Sequence, residues 1–166
     1  MKAWESSHAD KLILPGKVES TVKTIREQDQ TIATLNGSFD LLHAGHLHMI
    51  YEASQLADIL ILALNSDKSI QTYKGVHRPL IPLKERLQMV AAIGFVDFIT
   101  YFEETDPRNL YEKIRPDVHV NGPEYGHDCI EADTIKKYGG RVHIVSLLPG
   151  LSTTQLLKKI KAVPCV

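Results

Sequence analysis

Two histidines three residues apart follow the first predicted strand, within the stretch GSFDLLHAGH at residues 37–46. Histidine side chains can donate hydrogen bonds to phosphate oxygens and stabilise the charge that develops there in a transition state. Gly37 and Gly45 permit close approach of the backbone, and the predicted helix after them offers unpaired N–H groups and the positive end of its dipole. His43 and His46 therefore predict phosphoryl chemistry at this strand-to-helix junction.

The same histidines could instead cap a helix, or join His48 in a metal site. His46 and His48 are two residues apart on the predicted helix and therefore point in different directions, and no cysteine or carboxylate cluster supplies further ligands. Taken singly, each histidine is more often a structural polar residue, so the phosphate interpretation depends on the combination. No fixed metal site formed by the protein is predicted.

Cationic side chains collect after the second predicted strand, where NSDKS is followed by YKG, RP and ER. A triphosphate and an acceptor phosphate together carry several negative charges. Lys74, Arg78 and Arg86 could hold them, and arginine can bind two oxygens at once. Any one of these side chains alone would more often be a solvated surface charge.

Small residues and hydroxyl groups recur in the block GLSTT at residues 150–154, just before the last predicted helix. Ser152 is suited to cap that helix. The same unpaired N–H groups can also bind a phosphate, so a cap and a phosphate site are compatible. The block is a second candidate phosphate site.

The elements that must position these residues alternate between short β-branched runs and longer segments of helical period. The predicted strands are residues 31–35, 59–64, 96–102, 117–120 and 141–145, and the predicted helices are residues 18–28, 45–56, 83–93, 107–114, 129–138 and 153–160. This alternation is typical of βαβ units. It predicts an α/β fold, a Rossmann-like doubly wound five-stranded parallel sheet, with its ligand site beyond the carboxyl ends of the strands.

The composition predicts one globular domain over residues 1–166, with residues 1–10 as a loosely held tail. Nineteen basic and twenty acidic residues give a formal charge of −1, which argues against a protein that holds long nucleic acid. Cys129 and Cys165 lie far apart without a metal-binding spacing, so neither a disulfide framework nor a zinc knuckle is indicated.

The start of the sequence contains only one short apolar run, Leu12 to Leu14. This run is shorter than the hydrophobic region of a signal peptide and much shorter than a membrane span. The expectation is a cytoplasmic protein without a membrane partner.

The order Gly-x-Phe-Asp-x-x-His-x-Gly-His resembles the hallmark of the cytidylyltransferase-like nucleotidyltransferase superfamily. The resemblance implies that the backbone of Gly37, Ser38 and Phe39 lies against the nucleotide phosphates. It also implies that His43 and His46 stabilise those phosphates as pyrophosphate leaves, without a covalent intermediate on the protein.

Over about residues 11–162 the chain resembles the adenylyltransferases that act on D-glycero-β-D-manno-heptose 1-phosphate. The segments that carry this resemblance are, in order, NSDxS, KG, RP, ER, RPD, YGG and STT. For catalysis, the resemblance implies His43, His46 and Lys74. For nucleotide binding, it implies Gly37, Ser38, Phe39, Gly45, Asn65, Asp67, Arg86, Ser152, Thr153 and Thr154, and for acceptor binding Asp40, Arg78, Asn121 and Tyr125. The expected partners are a nucleoside triphosphate with Mg²⁺ and a phosphorylated small-molecule acceptor. A homodimer is expected because α/β transferases of this size often form symmetric dimers.

Two differences from related patterns bear on the substrates. Residues 147–153 read LLPGLST, without the arginine of the RTEGIST pattern of many cytidylyltransferases, which favours ATP over CTP. Residues 121–125 read NGPEY, where the heptose enzymes typically have KGGDY, so the neutral Asn121 replaces a cation. Glycerol 3-phosphate or another small phosphate or phosphonate therefore stays open as the acceptor, with ATP or CTP as donor.

Two functions from other classes were weighed. A nucleotide-binding regulatory domain that kept the fold and lost catalysis is suggested by Asn121, whereas the presence of both histidines with Lys74, Arg78 and Arg86 argues against it. A dinucleotide-binding oxidoreductase is disfavoured because no GxGxxG follows the first strand.

Overall fold

A five-stranded parallel sheet forms the centre of the computed structural model, which describes residues 8–146 and 148–163. The strands are β1 Ile32–Gly37, β2 Ile59–Asn65, β3 Phe98–Phe102, β4 Val118–Asn121 and β5 Arg141–Ile144, in the spatial order β3-β2-β1-β4-β5. This order confirms the predicted Rossmann-like sheet, and every predicted strand is present with boundaries shifted by at most two residues. Residues 1–7 of the predicted tail, Leu147 and Cys165 lie outside the described residues.

Helices pack on both faces of this sheet. In the described part of the chain they are α1 Val18–Arg26, α2 Ala44–Ser54, α3 Asp67–Lys74, α4 Leu83–Ala91, α5 Arg108–Ile114, α6 Ala132–Lys137 and α7 Thr153–Ala162. Apolar residues of α2 and α4 cover one face, and those of α1, α5 and α6 cover the other. In β2, alternate side chains enter the two cores, because successive residues of a strand point to opposite faces. The doubly wound architecture is confirmed.

The helix α3 was not among the predicted helices. Its eight residues bury only Ser69 and Ile70, so the sequence lacks the apolar stripe that identifies an amphipathic helix. Local signals were nevertheless present. The Ser66 hydroxyl accepts a hydrogen bond from the Ser69 N–H at 3.1 Å, and Gly75 ends the helix with a φ of 88°.

Three helix starts differ from the predicted ones, that of α2 by a single residue. The α5 helix begins at Arg108, where the Asp106 carboxylate accepts a hydrogen bond from the Arg108 N–H. The α6 helix begins at Ala132, three residues later than predicted, so Cys129 lies in the preceding loop. This longer loop brings residues 121–131 to the carboxyl edge of the sheet.

The topology places a switch point at β1, which pairs with β2 on one side and β4 on the other. From β1 the strands β2 and β3 follow on one side, and β4 and β5 follow on the other. Ligands of open α/β sheets bind in the crevice at such a point. None of the described helices is long and apolar enough to cross a membrane.

Candidate active site

The two histidines of the GSFDLLHAGH segment are both held at the start of α2 by hydrogen bonds from backbone N–H groups to their rings. The Gly45 N–H donates to Nδ1 of His43 at 3.1 Å, and the His43 N–H donates to Nδ1 of His46 at 3.3 Å. An Nδ1 atom that accepts a hydrogen bond carries no proton, so in both neutral rings the proton is on Nε2. Both histidines therefore have an Nε2–H group as their remaining donor.

Close packing explains why glycine is found at residue 45. A Cβ atom on Gly45 would lie 3.0 Å from the His43 ring and 3.0 Å from the carbonyl oxygen of Leu151. Alanine would therefore push the His43 ring or the loop before α7 out of place. This spacing ties the first turn of α2 to the loop that carries Leu151.

The loop between β1 and α2 is strained at Phe39. This buried residue has a φ of 46°, which is uncommon for an aromatic side chain. Its ring packs against Gly37, where an added Cβ would lie 3.2 Å from it, and its centroid is 5.7 Å from that of His46. Strained backbone of this kind is concentrated at functional sites.

The environment of the two rings keeps them neutral near pH 7. Burial, followed by the charges of His43 and Lys74, lowers the pKa of His46 from 6.5 to about 4. Burial also lowers the pKa of His43. At neutral pH the two rings are therefore uncharged N–H donors, and Lys74 is the neighbouring cationic side chain.

Lys74 lies at the end of α3 and reaches the loop after β1. Its Nζ donates a hydrogen bond to Oγ of Ser38 at 3.0 Å. Burial and the nearby Arg78 lower the pKa of Lys74, with Asp40 acting in the opposite direction and Arg86 adding to the decrease. The predicted catalytic residues Lys74 and His46 are thus brought to the same loop from different helices.

Arg86 and Asp67 lie behind this loop, in the interior. The fully buried Arg86 donates to the carbonyl oxygen of Ser38 at 2.6 Å, to that of Ile81 at 2.9 Å and to Oδ1 of Asp67 at 2.7 Å. The Asp67 carboxylate also accepts the Leu83 N–H at 2.9 Å. Nucleotide binding by these two residues stays a prediction, and the contacts made here support the Ser38 backbone.

Asp40 holds the segment that follows α3. Its buried carboxylate accepts the N–H groups of Leu80 at 2.8 Å and Ile81 at 2.9 Å, and its Oδ2 lies 2.7 Å from Nε of Arg78. These contacts explain why a carboxylate follows Phe39 in the motif. Acceptor binding by Asp40 and Arg78 stays a prediction.

The start of α7 packs against the start of α2. The Ser152 hydroxyl caps α7 by accepting the Gln155 N–H at 3.2 Å, and Oγ1 of Thr153 lies 3.5 Å from Nε2 of His43. Thr154 is exposed in the first turn of α7. Two helix N-termini therefore converge beside the histidines, an arrangement that favours an anion.

A pocket of about 530 Å³ opens beyond the carboxyl ends of β1, β2 and β4. The predicted site residues that line it are Gly37, Ser38, Asn65, Lys74, Asn121 and Tyr125. Its volume lies within the usual range for small-molecule sites. The topology thus brings together predicted residues from three separate strand ends.

On one wall of the same pocket, Asn121 is joined by Glu131, which the sequence analysis did not identify. Nδ2 of Asn121 donates to Oε1 of Glu131 at 3.4 Å, and Nε2 of His119 lies 3.0 Å from the same oxygen. Two polar residues in the short strand VHVN were a signal for this wall, because a buried strand is otherwise apolar.

Comparison with known proteins settles the family. The chain matches the cytidylyltransferase-like family over residues 34–160, which includes both histidines, Lys74 and the start of α7. It belongs to the cytidylyltransferase-like family. This nucleotidyltransferase membership confirms the resemblance carried by the Gly-x-Phe-Asp-x-x-His-x-Gly-His motif.

Curated relatives of this cytidylyltransferase-like chain include Bifunctional protein HldE from several bacteria. The protein from Syntrophotalea carbinolica is 38% identical over 151 residues, covering 90% of this chain and 31% of that protein. The protein from Geobacter sulfurreducens is 41% identical over 136 residues, covering 81% of this chain and 28% of that protein. The chain thus spans about three-tenths of the length of these relatives.

Two solved structures resemble the cytidylyltransferase-like fold described above. The lipopolysaccharide core biosynthesis protein from Thermoplasma volcanium is 26% identical, with a TM-score of 0.58, covering 72% of this chain and 97% of that one. Pantoate-beta-alanine ligase from Francisella tularensis, at 15% identity, has a TM-score of 0.60 and covers 89% and 73% of the two chains. The second likeness concerns the fold alone.

The low pKa of His46 in this cytidylyltransferase-like site predicts a pH dependence of stability. Its pKa is about 4 when folded and 6.5 without the site, so between these values the unfolded chain binds more protons. The free energy of unfolding should therefore fall as the pH is lowered through this interval. Urea unfolding at several pH values should show a shallower decrease for His46→Gln than for the wild type. Identical pH profiles for the two proteins would contradict the assigned environment of His46.

Proposed function

We propose that this domain transfers a nucleotidyl group from a nucleoside triphosphate to the phosphate of a small acceptor, with release of pyrophosphate. The observation that carries the proposal is the pair of Nε2–H donors of His43 and His46 beside Lys74. The histidines lie at the start of α2, and Lys74, at the end of α3, donates to Ser38, which lines the pocket. Such a set suits a reaction in which charge moves onto a leaving phosphate.

In the proposed reaction, an oxygen of the acceptor phosphate attacks the α-phosphorus of the triphosphate. The bond from that phosphorus to the bridging oxygen breaks, and pyrophosphate leaves with the electron pair. His43 and His46 stabilise the leaving oxygens through their Nε2–H groups, and Lys74 adds a positive charge. Catalysis then consists of positioning and electrostatic stabilisation, without a covalent intermediate on the protein.

We propose that Mg²⁺ enters with the triphosphate. Among the described residues no cluster of three or more histidine, cysteine, aspartate or glutamate side chains could hold a metal ion. Asp40 is engaged by the Leu80 and Ile81 N–H groups and by Arg78. This environment fits an ion held mainly by phosphate oxygens and water, which is common for Mg²⁺. The ion would neutralise part of the triphosphate charge.

We propose ATP as the donor and a heptose 1-phosphate as the acceptor, giving an ADP-sugar. Support comes from the order of the NSDxS, KG, RP and ER segments and from the similarity to proteins named HldE. The solved relative described as a lipopolysaccharide core biosynthesis protein agrees with sugar chemistry. Asn65 and the turn from Ser152 to Thr154 would contact the nucleotide, and Asn121 and Tyr125 the acceptor.

Pyrophosphate release measured with a matrix of donors and acceptors tests this proposal. The donors are ATP and CTP, and the acceptors are heptose 1-phosphate, other sugar phosphates and glycerol 3-phosphate. We expect release only when donor and acceptor are both present, with kcat/KM for ATP at least about tenfold above that for CTP. If CTP with glycerol 3-phosphate were the only pair that gave pyrophosphate, both the donor and the acceptor would be reassigned. Nucleotide binding without release for any acceptor would identify a regulatory domain.

A further inference from the structure

A chain of buried polar side chains leads from the sheet to the wall of the pocket. The Thr34 hydroxyl lies 2.9 Å from Nδ1 of His119, and Nε2 of that ring lies 3.0 Å from Oε1 of Glu131. Asn121 donates to the same oxygen at 3.4 Å. Thr34 and His119 are fully buried, and Asn121 and Glu131 are each 4% exposed. Glu131 and Asn121 are the members that line the pocket.

A carboxylate in this position is unfavourable for folding unless it is well paired. Burial raises the pKa of Glu131, but the hydrogen bond and charge of His119, with the hydrogen bond from Asn121, more than offset it and leave the pKa lowered. Burying a carboxylate with its polar partners generally adds little stability compared with apolar residues of the same volume. Stability alone therefore does not account for an ionised Glu131 at the wall of a ligand pocket.

The pocket is polarised from one side to the other. In the sheet, β1 lies between β2 and β4. Lys74, which follows β2, brings positive charge to one side of β1. Glu131, which follows β4, brings negative charge to the other side, where Glu124 also lines the pocket. An acceptor that lies across this pocket with its phosphate near Lys74 has its other end on the side of Glu131.

The remaining polar lining is neutral and can both donate and accept hydrogen bonds. It includes the amides of Asn36, Asn65 and Asn121 and the hydroxyl of Thr105. Such a set matches a molecule with several hydroxyl groups, each of which is both a donor and an acceptor. An acceptor that ended in a single ammonium group would pair with the carboxylate but would have no use for the amides. The carboxylate disfavours a second anionic group at this end.

We propose that Glu131, positioned by His119 and Asn121, determines acceptor specificity by accepting hydrogen bonds from the hydroxyl groups of a sugar or polyol monophosphate. It also rejects acceptors with a second anionic group at that end. This inference rests on the proposed nucleotidyl transfer and names the part of the site that recognises the acceptor. His119 is a positioning residue in this scheme.

The test compares heptose 1-phosphate with the same sugar carrying a second phosphate at its far end, heptose 1,7-bisphosphate. Glu131→Gln keeps the shape of the side chain and removes its charge. We expect the acceptor KM for the monophosphate to rise at least about tenfold, with the KM for ATP nearly unchanged. The preference for monophosphate over bisphosphate should fall by at least about tenfold. Glu112→Gln, which alters a surface carboxylate paired with Lys137, is the matched control and should leave both values unchanged.

A second variant keeps the Glu131–His119 pair, in case Glu131→Gln fails to fold, which thermal unfolding would reveal. Asn121→Lys adds a cation to the same wall and should improve use of the bisphosphate relative to the monophosphate. Two results together would overturn this inference but not the proposed function. One is an equal loss of kcat/KM for both acceptors in Glu131→Gln, and the other is an unchanged preference between them in Asn121→Lys. Wild-type preference for phosphoethanolamine over sugar and polyol phosphates would overturn the assignment to hydroxyl groups. A wild type that transfers to no acceptor would overturn the proposed function as well.

Discussion

Replacement of His46 by alanine is expected to lower kcat at least about 100-fold, because a single stabilising donor in an active site commonly contributes this much. His46 has its Nδ1 engaged by the His43 N–H, so its Nε2–H is the donor left for a ligand. Loss of that donor leaves charge on the departing pyrophosphate without one of its partners. Pyrophosphate release under saturating substrates, with thermal unfolding in parallel, measures the effect.

The matched control for this variant is His48→Ala, on the same helix. His48 lies 3.9 Å from Glu52 on a partly exposed face and takes no part in the paired rings. We expect its turnover to remain within about threefold of the wild type, since surface substitutions have small effects. Equal turnover in the wild type and His46→Ala would sink the assignment of His46 to catalysis.

The second large effect is expected on stability. Arg86→Ala should lower the free energy of unfolding by about 3 kcal/mol or more, because it removes a fully buried cation whose partners stay in place. The carbonyl oxygens of Ser38 and Ile81 lose their donor, and Asp67 loses its ion pair. Asp67 is partly exposed, so water can hydrate its carboxylate and offset part of the free energy lost with the ion pair. Urea unfolding with a common slope measures the difference.

A surface arginine provides the comparison. Arg108 is exposed and pairs with Asp106 two residues before it, so Arg108→Ala should leave the free energy of unfolding nearly unchanged. Arg86→Lys keeps the charge but lacks the planar group that reaches three partners, so it should be intermediate. A loss below about 1 kcal/mol for Arg86→Ala would refute the structural role, because that is the ordinary range for exposed pairs.

Stability and nucleotide affinity together separate the two roles considered for Arg86. If Arg86 only supports the Ser38 backbone, its substitution should lower the free energy of unfolding. The KM for the triphosphate should then change only indirectly, because the Ser38 loop shifts. A side chain that contacts phosphate directly should raise that KM even in the conservative Arg86→Lys variant that remains folded. The contacts with Ser38, Ile81 and Asp67 favour the supporting role.

The strands, most helices and the phosphate-binding junction could be predicted from the order of residues alone. Strand periodicity, helix caps such as Ser152 and the spacing of His43 and His46 are local features, and local geometry fixes what they form. The backbone hydrogen bonds that hold the two histidine rings span only two and three residues. The reaction class inferred from this motif agrees with the family match over residues 34–160.

The environment of each charge depended instead on contacts between distant parts of the chain. Arg86 resembled Lys74 as a candidate phosphate ligand, yet folding buries it against Ser38, which is 48 positions away. His119 and Glu131 are twelve positions apart and match no known spacing, so only the path of the loop between β4 and α6 reveals them as a pair. Burial and pairing determine the free energy that a charged side chain costs and whether it is free to bind a ligand. Neither can be inferred from the residue type. The opposite charges on the two sides of the pocket are therefore a product of the tertiary structure.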